Sequence, residues 1–108
     1  MSVTSTRTND AGVVQRAVGR YIDTGTAAAF TITCGFKPRY IVVSNVDSRD
    51  QLEFFEGMAN ASAVKMIAAG TRTLITTLGL TPTSNGFTVG LDVDVNVTSQ
   101  QISWLAIG

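Results

Sequence analysis

The chain is predicted to be all-β: an antiparallel β-sandwich or jelly-roll-like barrel of about eight short strands, preceded by an N-terminal arm. Three observations predict it. Threonine occurs 15 times among 108 residues, alongside frequent Val and Ile. These β-branched side chains fit a pleated surface better than a helix. Several runs alternate apolar and polar residues with period two, the mark of a half-buried strand. Ten glycines punctuate those runs at spacings near ten residues, which suits many short strands rather than long elements.

The elements follow in order. Ser2 to Asp10 is rich in Ser and Thr and reads as a flexible lead. Ala11 to Arg20 carries Val13, Val14, Ala17 and Val18 at helical spacing, with Asp10 placed to cap and Gly19 to stop. Residues 1–20 are therefore expected to form an arm with a short helix, and residues 21–108 the β domain. So short a helix is unstable alone in water, so it needs a surface to lie on.

Ala28, Phe30, Ile32, Cys34 and Phe36 fall on one strand face. After the Gly35–Pro38 turn, Tyr40 to Val43 is a continuous apolar run, as in a strand covered on both sides. Gln51 to Glu56 reads as a strand closed by Gly57. Ala63 to Ala68 is ambiguous, and Arg72 to Leu78 is a Thr-rich strand. Asn85-Gly86 signals a tight turn with positive φ values. Phe87, Val89, Leu91, Val93, Val95 and Val97 then alternate over eleven residues, and Gln101 to Ile107 is the closing strand. Phe36, Phe87 and Trp104 are expected as large core pieces joining two sheets.

Composition narrows the function. Eight basic and eight acidic residues give zero net charge and a pI near 6.1. A nucleic-acid binder would show a basic footprint. No histidine is present, so Ser-His and Cys-His nucleophile pairs are impossible and the commonest metal ligand is missing. The single cysteine, Cys34, permits no internal disulfide and no thiolate cluster. Charged residues are 15% of the chain, which gives a surface little to keep it monomeric. No apolar run approaches a membrane span, and the polar start lacks a secretory core. The expectation is a cytosolically made structural or binding protein, not an enzyme. It has no cofactor, and neither nucleic acid nor membrane is a partner.

Candidate chemistry is sparse. Asp92, Asp94 and Asn96 resemble the start of a calcium loop. The required Gly and Glu are replaced by Val97 and Ser103, so the match fails. They read instead as the watered face of a strand whose Val93, Val95 and Val97 face the core. Glu53 and Glu56 are three apart and should not converge on a strand. Cys34 reads as a small buried hydrophobe. Arg16 and Arg20 flank the amphipathic segment, while Lys37 and Arg39 flank Pro38; each is a candidate to meet carboxylates on a partner. The small-residue stretch Gly57 to Ala63 presents Met58. Val13, Val14, Arg16, Val18, Arg20 and Met58 are thus the candidate partner-binding residues.

Two motifs carry a resemblance. One is Cys34-Gly35-Phe36-Lys37-Pro38-Arg39 followed by Tyr40-Ile41-Val42-Val43-Ser44-Asn45. The other is Ser84-Asn85-Gly86-Phe87-Thr88-Val89-Gly90 with the later Ser103-Trp104-Leu105-Ala106-Ile107. Together, over roughly Asp23 to Gly108, the chain resembles small β-sandwich virion proteins of tailed bacteriophages. These include capsid decoration (cement) proteins and domains of tail fibres.

The resemblance implies no catalytic residue. It implies a decoration protein on the capsid surface of the virion, self-associating as a homotrimer and binding the major capsid protein. Its arm would be the docking element, so a chain without Met1 to Gly19 should still fold but fail to add to heads. The alternatives are a tail or fibre component with a receptor-binding role, and a stand-alone carbohydrate-binding module. The last requires an exposed Trp104.

Overall fold

The computed structural model describes residues 15–25 and 28–108. The described chain is all-β. Eight strands run β1 (Arg16–Ile22), β2 (Phe30–Thr33), β3 (Tyr40–Asn45), β4 (Gln51–Phe55), β5 (Ser62–Met66), β6 (Arg72–Thr83), β7 (Gly86–Val89) and β8 (Gln101–Ile107). They form one sheet, in the order β1-β8-β3-β4-β5-β6-β7-β2, with every neighbour pair antiparallel.

That order dictates the curvature. The strands β1 and β2 are consecutive in the chain yet lie at opposite edges of an eight-stranded sheet. Seven residues connect them, which reach at most about 25 Å fully extended. Seven inter-strand steps of about 4.8 Å would separate the edges of a flat sheet by about 34 Å. The sheet must curl until its edges approach, and it does so as a half-barrel. Tyr21 on β1 stacks on Phe30 of β2, ring centroids 4.6 Å apart. The expected joining of two sheets is therefore achieved by one sheet turning on itself.

The concave face holds the core. Ile41, Val43, Leu52, Phe87, Leu80, Val89 and Ile102 are fully buried. Phe87 meets Trp104 edge-on at 5.5 Å, and Trp104 is packed against the core rather than displayed. Cys34 is half-buried at the core's margin and its thiol donates to the Phe36 carbonyl at 3.3 Å. Burying each large apolar side chain contributes about 1.5–3 kcal/mol.

Three local expectations are corrected. The helix over Ala11 to Arg20 is not formed in its described part, because Arg16–Ile22 is strand β1, paired along its whole length with β8. Period two wins here: Ala17, Gly19 and Tyr21 turn inward while Arg16, Val18, Arg20 and Ile22 turn outward. Gly19 is no helix stop but a space. A Cβ there would sit 2.6 Å from the Trp104 ring. The lead Ser2 to Asp10, with Val13 and Val14, lies outside the described residues.

The hairpin β6–β7 turns at Ser84-Asn85, and neither Asn85 nor Gly86 takes positive φ. Gly86 is required instead by close approach, since a Cβ there would collide with the Ile32 carbonyl oxygen. Phe30, placed by its alternation on the buried face, is largely exposed at the β2 edge.

Candidate functional site

Two features stand out, one on the convex face of the sheet and one in the seam of the half-barrel.

On the convex face the register lines up Val18, Leu105, Val42, Glu53, Val64 and Leu74 across six strands from β1 to β6. A second row holds Arg16, Ile107, Tyr40 and Phe55. Five of the six residues in the first row are aliphatic. An antiparallel sheet with one solvated face ordinarily alternates apolar-in and polar-out. This sheet is apolar on both faces over its centre. Val18 is 72% exposed and Leu74 63%, and Phe55 is also exposed.

Glu53 is the one charge in the row, and it is held down. The Tyr40 hydroxyl donates to its carboxylate at 2.9 Å, and Arg72 lies 3.7 Å from its other oxygen. Burial and that hydrogen bond to Glu53 raise the Tyr40 pKa above its ordinary value, although Arg72 pulls the other way. Glu53 and Glu56 do not converge into an acid pair, and Glu56 is exposed. The result is a nearly neutral apolar strip with Arg16 and Arg20 at its β1 margin.

The seam is built from the segment that the alternation placed on a strand. That expectation is corrected: β7 ends at Val89, and residues 90–100 fold as successive turns. The polarity is also inverted there. Asp92 is 5% and Asn96 3% exposed, whereas Val93 is 78% exposed. Of the three valines expected in the core, Val95 alone is fully buried. The Asp92 carboxylate accepts from the backbone N–H groups of Asp94 (3.0 Å) and Val95 (3.1 Å), an Asx-type turn that competes with strand formation. The Asn96 amide donates to the Ala28 and Gly90 carbonyls at 2.8 and 3.1 Å. It so joins the start of β2 to the end of β7.

Lys65 completes the seam. It points inward from β5, opposite Leu52 and Thr73. Its ammonium lies 3.0 Å from Asp92 and 2.6 Å from Asp94, and its side chain is 13% exposed. The cation between the two aspartates is thus the chain's own. Burial lowers the Lys65 pKa, but hydrogen bonds to Asp94 and Asp92 and their charges outweigh it and raise the pKa overall.

Asn45, at the end of β3, anchors the same loop. It is fully buried and donates to the Val95 carbonyl (3.0 Å) and to Gln100 Oε1 (2.7 Å). Its own oxygen accepts from the N–H groups of Asp47 and Ser48, both at 3.0 Å. Tyr21 donates to Asn96 at 3.4 Å, and its pKa is pushed up to about 12 by burial and by nearby Asp23. These groups hydrogen-bond one another across the edges of the sheet, so the seam closes the half-barrel.

Of the sequence-predicted partner-binding residues, Arg16, Val18 and Arg20 share the convex face of β1. Met58 lies apart from them, half-buried against the core, with its sulfur accepting from the Phe55 N–H at 3.2 Å. Lys65 and Asn45 carry no sequence signal for their roles, and Asp92 and Asn96, expected on the watered face of a strand, are buried instead. Asp, Asp and Asn at alternate positions are poor strand formers and good turn formers, and that was the available signal. Comparison with protein-family models, with curated proteins and with solved structures returns no match.

Proposed function

We propose that the chain is a structural virion protein of a tailed bacteriophage, a capsid decoration protein that adds to the assembled head. The observation that carries this reading is the aliphatic row Val18–Leu105–Val42–Val64–Leu74 on the convex face, whose ends Val18 and Leu74 the described residues leave exposed. Exposed apolar strips of this kind mark interaction surfaces. Repeated over a shell, burial worth about 25 cal/mol per Å² adds up even where each contact is modest. The sparse charge and the absence of histidine in the sequence favour a packing role over chemistry. The two motifs resembling virion proteins supply the setting.

Self-association as a trimer and contact with the major capsid protein both place partners on this face. A tail or fibre component is the second reading, favoured by the same motifs. Copy number in purified particles, measured by mass spectrometry against the major capsid protein, separates them. Hundreds of copies in a simple ratio support decoration, and a few dozen move the chain to the tail. A particle without it removes both readings.

A further inference from the structure

At the end of the sheet away from the seam, a cleft of about 430 Å³ opens between the segment leading into β3 and the β4–β5 turn. Pro38, Phe54, Met58 and Pro82 are its apolar lining residues. Lys37, Arg39, Glu56 and Asn60 line it as well, so polar groups make up much of its surface. A concave site with polar and charged groups beside apolar ones suits a polar small molecule, whose hydroxyls and charge need partners.

Two observations show that the cleft is preformed. Both framing segments are pinned by backbone hydrogen bonds. Arg39 donates to the Ile107 carbonyl at 2.7 Å, Met58 to Phe55 at 3.1 Å, and Ala61 to Leu80 at 3.1 Å. The β4–β5 turn also holds Ala61 at φ 65°, beside Asn60, and a second donation to Thr81 Oγ1 at 3.0 Å keeps it there. A left-handed backbone in a residue with a Cβ is a strain that surrounding structure must maintain, so the turn is held in one shape. Among the described residues, Lys37, Arg39 and Glu56 enter no ion pair. Their charges are therefore uncommitted, unlike those of Lys65 and Arg72.

We propose that this cleft binds an acidic sugar. Lys37 and Arg39 take the ring carboxylate, Arg39 by its paired N–H groups. Glu56 and Asn60 take ring hydroxyls, and Met58 with Pro82 packs against the apolar face of the ring. The mixed lining decides the class: Glu56 opposes a phosphate or a polyanion, while two cations disfavour a neutral sugar. The volume suits about one ring rather than an extended peptide. The site is separate from the convex face, so it stands or falls independently of the assembly reading.

The test is an amide-resolved NMR titration of the full chain with D-galacturonic acid and with N-acetylneuraminic acid. Galactose, methyl galacturonate and glutarate serve as comparison probes. A single acidic ring in a shallow cleft should give a Kd in about the millimolar range. Saturable shifts are expected at Lys37, Arg39, Gly57, Met58 and Asn60 with at least one acid. The Lys37→Ala/Arg39→Ala double variant, whose dispersed spectrum verifies its fold, should bind at least tenfold more weakly, as should the methyl ester. Three results each overturn the proposal. These are no saturable shift with either acid, equal binding of galactose or glutarate, and unchanged affinity in the double variant.

Discussion

Lys65 is a charged residue inside a half-barrel, and its place there depends on two carboxylates from one turn. Removing one partner of such a cluster leaves the others desolvated without compensation. Asp94 is 46% exposed, so water recovers part of the loss. Lys65→Ala should cost about 2 kcal/mol, read from the urea midpoint. A midpoint within error of wild type would show the cluster to be ornamental.

Asn45 has less latitude. Asn45→Leu keeps the volume but strands the Val95 carbonyl and the N–H groups of Asp47 and Ser48, and should cost about 3 kcal/mol. The pH dependence has a definite sign. Lys65, Tyr21 and Tyr40 all have raised pKa values in the fold, so each holds its proton more tightly folded than unfolded. Their contribution is complete below about pH 10, where unfolded Lys and Tyr titrate, and drains as pH rises through the folded values. For Tyr21 that window runs from about 10 to about 12. The melting temperature should fall across it, less steeply in Lys65→Met, when followed by circular dichroism. A melting temperature that holds steady to pH 12 would contradict this.

At the level of elements, β1 changes what a truncation should do. A chain lacking residues 1–19 loses Arg16 to Gly19 from the edge strand, and with them Ala17 from the core's margin and the cover over Trp104. It should melt about 10–20 °C lower, rather than behave as an intact domain without its arm. An unchanged melting temperature would restore the separable arm.

The same strand shows what the sequence could and could not convey. Its Val and Ala spacing satisfies a helical and a strand template together over so few residues. Pairing to β8, seventy-nine or more residues away in register, decides the matter, and no local pattern reports that. The closing strand Gln101–Ile107 was legible to its ends because alternation, length and flanking turns all agreed. The Asp92–Asn96 stretch misled for the opposite reason. Its valines kept strict period two while its aspartates and asparagine were forming turns. Lys65 was equally hidden, since only the curl of the sheet brings it to Asp92.

At the scale of the whole molecule, the described residues form a sheet with two apolar faces and fill only the concave one. The concave face is filled by the core, and the seam closes the edges. On the convex strip the described residues leave Val18 and Leu74 exposed and Leu105, Val42 and Val64 half-buried. Val18→Glu/Leu74→Glu should therefore leave stability nearly unchanged, since both side chains are exposed, while weakening incorporation into particles at least tenfold.

The most direct measurement is carbene footprinting of the chain free in solution and within purified particles. The account predicts that Val18, Phe55, Val64 and Leu74 lose most of their labelling in the particle, while Val93 on the seam loop keeps its own. Equal labelling of the convex strip in the two states would contradict it.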